Sequence, residues 1–135
     1  MNKGLISIGS NTDSKDNLTV CVQLLKDKFE RIIFSDTSET KPYGTNYKND
    51  FMNQLAYIYT DKEKQEVIAL LKQLEHDMGR TPADKKKGIV IIDIDLVIWN
   101  REILKPKDIK RSYITKLLPG LSGKIDGKFI STILS

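Results

Sequence analysis

Apolar residues recur at two spacings along this chain, one typical of helices and the other typical of strands. Two segments have the helical spacing, with apolar positions at Leu18, Cys21, Val22, Leu25 and Phe29, and at Val67, Leu70, Leu71, Leu74 and Met78. Four segments are rich in β-branched and aromatic residues, at 5–8, 31–38, 51–60 and 89–99. The pattern therefore predicts two helices among four strands, in the order β-α-β-β-α-β.

This order predicts an α+β fold of the ferredoxin-like, split β-α-β type. We expect a four-stranded antiparallel sheet with both helices on one face and with the other face open to a ligand. Asp13 or Ser14 is expected to cap the first helix, and Asp61 the second. Residues 100–135 are expected to add a short C-terminal extension with one helix near 108–117.

The most apolar segment of the chain, at 89–99, contains two aspartates, Asp93 and Asp95. Alternation along a strand places both carboxylates on one face, about 6–7 Å apart. The residues of the other, more apolar face should meet the helices; they are Ile92, Ile94, Leu96 and Ile98. The two carboxylates are therefore expected on the open face of the sheet.

Two carboxylates at this separation repel each other by roughly 2.5 kcal/mol at an effective dielectric constant of 20. One interpretation is a pair of solvated carboxylates on an exposed face. The dense apolar flanks favour a metal site instead, because a cation between the carboxylates relieves their repulsion. The chain has a single histidine, His76, and no cluster of Cys and His residues, so hard oxygen ligands favour Mg²⁺ over zinc.

A basic loop is predicted at 80–88, just before the aspartate strand. It begins with Arg80 and contains Lys85, Lys86 and Lys87. A solvated run of charge is one interpretation of the three lysines. The other is a cover over phosphate groups, since Mg²⁺ and phosphate occur together, with Arg80 offering a two-pronged contact to phosphate oxygens.

A second predicted loop, at 39–49, leads into the third strand with residues that suit a flat heterocyclic ligand. These residues are Thr40, Pro42, Tyr43, Gly44, Phe51 and Asn53. Each is ordinary by itself, but together they offer an aromatic face, a side-chain amide and a kinked backbone. The segment Gly9-Ser10-Asn11, at the end of the first strand, fits a plain turn by itself.

Composition narrows the class of protein. At 135 residues the chain is predicted to form a single domain, 1–135. Its net charge of +4 fits an anionic small ligand but is too small and dispersed to require a nucleic acid. The single cysteine, Cys21, allows no internal disulfide, favours a reducing cytoplasm and is expected in the core. We expect neither a signal peptide nor a membrane span, because no apolar segment is long enough.

The motifs occur in the order and spacing of a known family. The chain resembles 6-hydroxymethyl-7,8-dihydropterin pyrophosphokinase in Ile8-Gly9-Ser10-Asn11, Thr40-x-Pro42-x-Gly44, Phe51-x-Asn53, Gly79-Arg80 and Ile92-Asp93-Ile94-Asp95. The resemblance extends over about residues 4–100 and is weaker in the tail. The aspartate strand with its upstream Gly-Arg pair is the most specific part.

The resemblance implies a fold, an activity and a set of cofactors. The family has a ferredoxin-like fold and transfers the β,γ-diphosphate of ATP to 6-hydroxymethyl-7,8-dihydropterin, releasing AMP, in folate biosynthesis. Asp93 and Asp95 would bind two Mg²⁺ ions and, with Arg80, would be the catalytic residues, acting by positioning and electrostatics. The implied protein is a cytoplasmic enzyme, expected to be a monomer, with no nucleic acid or membrane as a partner.

The resemblance also implies which residues bind the two substrates. The pterin would be bound by Thr40, Pro42, Tyr43, Phe51, Asn53 and Tyr113. Phe51 and Tyr113 would stack on the two faces of its ring. ATP would be bound by Glu75, Arg80, Lys87, Leu96 and Arg111.

Two features depart from the family pattern and keep alternatives open. Val90 stands where most members have a second arginine, and a lysine of the basic loop cannot reproduce the bidentate fork of arginine. Pro106 is followed by Lys107, where the family has histidine. One alternative is therefore a catalytically weakened or non-catalytic relative that binds a pterin or a nucleotide. Another is an RNA-binding domain, although such sheets display aromatic residues where this one displays carboxylates.

Overall fold

The protein forms an antiparallel β-sheet with helices packed on it. The structure is a computed structural model that describes residues 1–42, 47 and 49–122. In chain order the elements are β1 (Asn2–Ser10), α1 (Ser14–Lys28), β2 (Arg31–Thr40), β3 (Phe51–Thr60), α2 (Lys64–Asp77), α3 (Pro82–Lys86), β4 (Asp93–Trp99), β5 (Glu102–Ile103), α4 (Pro106–Ile109) and α5 (Ser112–Ser122).

The strand order in the sheet is β2-β3-β1-β4-β5, with every neighbouring pair antiparallel. The first four strands and the helices α1 and α2 confirm the predicted α+β, ferredoxin-like arrangement. A fifth strand, β5, adds only two residues, which pair with Ile98 and Trp99. The start of β4 therefore lies at the edge of the described sheet.

The helices α1 and α2 bury their apolar stripes against the same face of the sheet, as their periodicity predicts. One hydrophobic cluster joins Leu18, Cys21 and Leu25 of α1, Val67, Leu71 and Leu74 of α2, and Ile6, Ile8, Ile92, Ile94 and Leu96 of the β1 and β4 region. The predicted cap of α2 is wrong, because the helix begins after Glu63 rather than after Asp61. Glu63 and Glu66 form a capping box there, in which each side chain accepts from the other residue's backbone N–H.

The helix α5 packs on the opposite face of the sheet, which the sequence predicted to be open. A second hydrophobic cluster joins Ile114, Leu117, Leu118 and Leu121 of α5 to Leu5, Leu55, Tyr57, Val97 and Ile98 of the sheet. The short helix α4 precedes it, so the predicted helix near 108–117 is present as two helices. Among the described residues, α5 therefore covers part of the face that was expected to be open to a ligand.

A β-bulge in β4 changes the predicted alternation. Ile6 of β1 pairs with Leu96 and Leu5 pairs with Ile98, so Val97 is an extra residue on β4. Beyond the bulge the side chains exchange faces. Ile98 therefore lies in the cluster with α5, contrary to prediction, and Trp99 joins the cluster with α1 and α2.

The strand β4 begins at Asp93, four residues later than predicted. The preceding segment is bound to Asn11 instead of entering the sheet. The backbone N–H of Asn11 donates to the Val90 carbonyl at 3.0 Å, and the Val90 N–H donates to Asn11 Oδ1 at 2.7 Å. Among the described residues, no helix is long and apolar enough to cross a membrane.

Cys21 is fully buried in the first cluster, as predicted, and burial raises the pKa of its thiol to about 12. We expect iodoacetamide at pH 8 to alkylate the native protein at least about 100-fold more slowly than the urea-unfolded protein, because little thiolate forms and none is accessible. Mass spectrometry of timed samples measures both rates. Equal labelling rates in the two states would contradict this packing.

Candidate active site

Three acidic side chains meet at the edge of the sheet where β4 begins. Glu75 of α2 and Asp93 and Asp95 of β4, called the carboxylate cluster below, each offer an oxygen, and these oxygens all lie within 4.8 Å of one another. Asp93 pairs with Gly9 and Asp95 with Ser7 of β1, so the two aspartates share one face, as predicted. The sequence did not place Glu75 with them, because Glu75 lies on a helix, 18 residues before Asp93 on the strand.

Two cationic side chains bind the carboxylate cluster on either side of Glu75. Arg80 Nη1 lies 2.8 Å from Asp93 Oδ1 and 3.1 Å from Glu75 Oε2. Lys72 Nζ lies 3.2 Å from both Glu75 Oε2 and Asp95 Oδ1. Lys72 was not among the predicted site residues, although its place three residues before Glu75 puts both on one side of α2.

The Gly79-Arg80 motif has a structural explanation at the end of α2. Gly79 has φ +93°, a left-handed conformation that glycine adopts without a Cβ clash. The chain turns back at this residue, and the Arg80 N–H donates to the Glu75 carbonyl at 3.1 Å. The guanidinium thereby reaches β4, where Nη1 also donates to the Ile92 carbonyl at 3.2 Å.

Glu75 is the most buried member of the cluster, with a residue exposure of 5%. Its Oε2 accepts a hydrogen bond of 2.7 Å from the backbone N–H of Ile94. That N–H is on the strand edge that β5 does not reach. Glu75 therefore occupies the place of a missing neighbouring strand and fixes its own carboxylate beside the two aspartates.

Burial and mutual repulsion make the three negative charges unequal. Burial raises the pKa of the Glu75 carboxyl above its usual range, and burial together with the charge of Asp93 raises the pKa of Asp95. Burial acts in the same direction on Asp93, but the hydrogen bond and charge of Arg80 outweigh it and hold the pKa of Asp93 below its usual range. Burial tends to lower the pKa of Lys72, yet the charges of Asp95 and Glu75 outweigh it and raise that pKa.

The carboxylate cluster fits a hard divalent cation. Its oxygens are the type of ligand that Mg²⁺ prefers, and a cation among them would offset the repulsion that raises the pKa of Asp95. Within the described parts of the chain it is also the single group of three or more acidic, His or Cys side chains close enough to share an ion. The cluster is therefore the candidate metal centre.

One cavity, called the first cavity below, opens beside Asp93 on the face that carries α5. It brings together residues that are far apart in sequence: Ser7, Gly9, Thr40, Tyr47, Phe51, Asn53, Arg80, Lys85, Val90, Asp93, Arg111 and Tyr113. Seven of these are predicted site residues, namely Thr40, Phe51, Asn53, Arg80, Asp93, Arg111 and Tyr113. Pro42 is half-buried and does not line the first cavity. Tyr43 lies outside the described residues.

Asn53 is held rigidly in the wall of the first cavity. Its Nδ2 donates to the Thr40 hydroxyl at 2.8 Å and to the Ser38 carbonyl at 3.2 Å. Its Oδ1 points toward Gly9, where an added Cβ would lie 3.3 Å from that oxygen and 3.6 Å from the Phe51 ring. The absence of a side chain at Gly9 therefore keeps the space between Asn53 and Phe51 open.

Two contacts support the aromatic side chains of the first cavity. The rings of Tyr47 and Phe51 meet edge to face with centroids 5.1 Å apart. The hydroxyls of Tyr113 and Ser7 form a hydrogen bond of 2.8 Å, which ties the start of α5 to the centre of β1. Neither Ser7 nor Tyr47 was predicted as a site residue from the sequence. Ser7 could have been found, because alternation along β1 puts it on the same face as Gly9.

The basic segment at 80–88 contains the short helix α3 and is held beside the first cavity by hydrogen bonds to Asn11. Besides its contacts with Val90, Asn11 donates through Nδ2 to the Gly88 carbonyl at 2.8 Å. The segment Gly9-Ser10-Asn11 therefore does more than turn the chain. Of the lysines in this segment, Lys85 lines the first cavity, whereas Lys87, which follows α3, lines neither cavity.

Another cavity, called the second cavity below, lies between α2 and β4. Its lining combines apolar side chains with lysines and one member of the carboxylate cluster: Lys64, Gln65, Ile68, Leu71, Lys72, Ile94, Asp95, Leu96, Leu104 and Lys105. Of the predicted ATP-binding residues, Leu96 lines this second cavity. Asp93 lines the first cavity and Asp95 lines the second, so the carboxylate cluster adjoins both.

Comparisons with known proteins agree on one family. The model of the family described as 7,8-dihydro-6-hydroxymethylpterin-pyrophosphokinase (HPPK) matches residues 5–122. The chain is 28% identical, over 111 residues, to the 2-amino-4-hydroxy-6-hydroxymethyldihydropteridine pyrophosphokinase of Bacillus subtilis, covering 80% of this chain and 66% of that protein. It is 26% identical over 106 residues to the Aquifex aeolicus protein of the same name, with 78% and 66% covered.

A third relative is a much longer protein. The chain is 31% identical over 72 residues to the folic acid synthesis protein FOL1 of Dictyostelium discoideum, which is 53% of this chain and 11% of that protein. The chain thus spans slightly less than two thirds of the bacterial relatives and a small part of this one.

Proposed function

The chain belongs to the 7,8-dihydro-6-hydroxymethylpterin-pyrophosphokinase family, and on that premise we propose that it transfers diphosphate from ATP to 6-hydroxymethyl-7,8-dihydropterin in folate biosynthesis. The observation that carries the proposal is the position of the carboxylate cluster, which adjoins one cavity with aromatic and amide side chains and another with apolar and lysine side chains. Two substrates bound in these cavities would meet at the cluster.

The first cavity suits the pterin. Phe51 and Tyr113 can stack on the ring, and Asn53 Oδ1, held by the contacts of its amide nitrogen, can accept from the ring's amino and N–H groups. Thr40 acts through Asn53, since its hydroxyl accepts from that amide. The hydroxymethyl group would then point toward Asp93. We keep Pro42 and Tyr43 as proposed pterin residues on the resemblance alone.

The second cavity suits the nucleotide. Ile68, Leu96 and Leu104 provide apolar surface for adenine, while Lys72 and Lys105 provide positive charge for phosphates. Phosphates extending from there would reach Asp95 and then Arg80. Glu75, which was predicted to bind ATP, is therefore proposed as a ligand of the metal centre instead.

Two further cations adjoin the first cavity, Lys85 and Arg111. We propose that they contact the diphosphate as it is transferred. Lys85 replaces Lys87 in this role, because Lys85 lines the first cavity and Lys87 lines neither cavity. It also supplies charge close to Val90, where most family members have an arginine.

The reaction is a single displacement at the β-phosphorus of ATP. The hydroxymethyl oxygen forms a bond to that phosphorus, the bond from it to the α,β-bridging oxygen breaks, AMP leaves with that oxygen, and the hydroxyl proton passes to water. Mg²⁺, held by Asp93, Asp95 and Glu75 in up to two sites, would neutralise phosphate charge when bound. Arg80 orients Asp93 and Glu75, and the walls of the two cavities hold the reacting atoms in line.

The direct test is AMP release from ATP in the presence of the pterin and Mg²⁺, measured by chromatography. We expect AMP and the pterin diphosphate in equal amounts, and no AMP when the pterin is omitted. Calorimetry that detects tight pterin binding without AMP release would favour the non-catalytic relative, the alternative that Val90 motivates.

We propose that residues 1–135 act as one domain, as a cytoplasmic monomer on small-molecule substrates, without a nucleic acid or membrane partner. The modest net charge of +4 supports small anionic substrates over nucleic acid.

Gly9→Ala is expected to raise the KM for the pterin about tenfold with little change in the free energy of unfolding, because the new methyl group enters the space between Asn53 and Phe51. Steady-state kinetics with varied pterin measures the effect. Gly120→Ala is the matched control, since its Cβ would meet no atom within 4 Å. An unchanged KM in the Gly9 variant would argue against a pterin in the first cavity.

A further inference from the structure

We propose that Lys72 is an internal cation of the carboxylate cluster, which a divalent metal ion must displace before Asp95 and Glu75 can act as its ligands. The inference rests on the proposed function, because it concerns the metal site that diphosphate transfer would use. Lys72, which was not a predicted site residue, would thereby control the binding of the metal ion.

The position of the ammonium group carries this inference. Lys72 Nζ lies 3.2 Å from Asp95 Oδ1 and 3.2 Å from Glu75 Oε2, and 3.5 Å from the carbonyl of Ile94. A magnesium ion bound to Asp95 Oδ1 at about 2.1 Å would lie at most about 5.3 Å from this ammonium. Two cations that close repel strongly, so the lysine and the metal compete for the same oxygens.

Lys72 can leave the cluster more easily than Arg80. The side chain of Lys72 is 53% exposed, and that of Arg80 is 20% exposed. Lysine ends in a single ammonium on a flexible stem, whereas the Arg80 guanidinium is also held by Asp93 and the Ile92 carbonyl. The mobile cation is therefore the one that gives way.

The second cavity offers a new place for the displaced ammonium. Lys72 lines this cavity, so the same side chain that leaves Asp95 can pair with a phosphate group of a bound nucleotide. Nucleotide phosphates would then bind Lys72, and this would release the carboxylates of Asp95 and Glu75 for the metal ion at the same time. The metal ion is accordingly expected to bind tightly only with the nucleotide, and weakly to the free protein.

The test measures Mn²⁺ binding to the nucleotide-free protein by calorimetry or by electron paramagnetic resonance. Lys72→Met is expected to lower the Kd for Mn²⁺ about tenfold, because it removes the competing cation without shortening the α2 side chain greatly. The same variant should have a lower Tm than the natural sequence without metal, since Glu75 and Asp95 lose a partner, and Mn²⁺ should raise that Tm more. Lys28→Met, an exposed lysine in the last turn of α1, is the matched control of net charge and should change neither value.

The two readouts separate this role from a merely structural one. A lower Tm for Lys72→Met with an unchanged or weaker Mn²⁺ affinity would overturn the proposal, as would Mn²⁺ binding that survives Asp95→Asn in the Lys72→Met background. Mg²⁺-dependent AMP release by the natural sequence distinguishes failure of this proposal from failure of the proposed function. If the natural sequence releases AMP but either of these contrary results is found, the proposed function stands and only the role of Lys72 is lost.

Discussion

Asp95→Asn is expected to lower kcat/KM for AMP release by about 1000-fold or more while leaving the protein folded. Asparagine has nearly the same shape and keeps an oxygen toward Lys72, so the packing at the end of β4 is preserved. The lost group is the charge that would hold Mg²⁺ beside the phosphates. Removing one such preorganised charge costs about 10²–10³ in rate, and weaker metal binding adds to this.

The same substitution should not lower stability in the absence of metal. The pKa of Asp95 is raised in the folded protein, chiefly by burial and by Asp93, so above its usual pKa its ionised form opposes folding. Thermal unfolding at pH 7 is therefore expected to show an equal or higher Tm for the variant. Asp27→Asn, an exposed aspartate of α1, is the control for both measurements. Activity above about a tenth of that of the natural sequence would contradict the assigned metal centre.

Arg80→Met is expected to reduce both stability and activity. It leaves the buried Glu75 with Lys72 and the Ile94 N–H as partners, and it removes the 2.8 Å contact with Asp93. Breaking one partner from a largely buried ion pair costs about 2–4 kcal/mol of unfolding free energy. Loss of the oriented guanidinium should lower kcat/KM by a further 10²–10³-fold or so.

A second substitution separates the two effects. Glu75→Gln in the Arg80→Met background removes the buried negative charge that Arg80 no longer offsets. Urea unfolding should therefore recover part of the lost free energy, whereas AMP release should stay low. Arg101→Met, at an exposed arginine after β4, controls for the loss of one positive charge. An Arg80→Met protein as stable as the Arg101 control would mean that Arg80 does not support the carboxylate cluster.

The periodicity of the chain was sufficient to predict most of the fold and part of the site. The apolar stripes of α1 and α2 and the alternation of Asp93 and Asp95 depend on local geometry, which can be predicted from the spacing of residues within one element. The face opposite the helices was harder, because α5 covers it through contacts made with strands far away in the chain. Ile98 was assigned to the wrong face since a single bulge residue, Val97, reverses the alternation after it.

The side-chain contacts of the site that the sequence did not predict share a physical cause. Glu75, Lys72 and Arg80 come together because α2 ends next to the edge of β4, and a glycine then turns the chain back. The hydrogen bond between the hydroxyls of Ser7 and Tyr113 likewise joins residues 106 positions apart. Such pairs depend on how elements dock, and the spacing of residues within one element does not encode that docking.

In the described part of the sheet, the start of β4 pairs with β1 alone, and this edge has a consequence for solubility. An exposed edge within a segment as apolar as 89–99 is a template onto which a strand of another molecule could add. Glu75 already occupies the N–H of Ile94, and the charges of Asp93 and Asp95 line the same edge. Replacing these carboxylates with apolar residues should therefore promote aggregation, so the residues proposed for catalysis also protect the folded protein from polymerising through this strand.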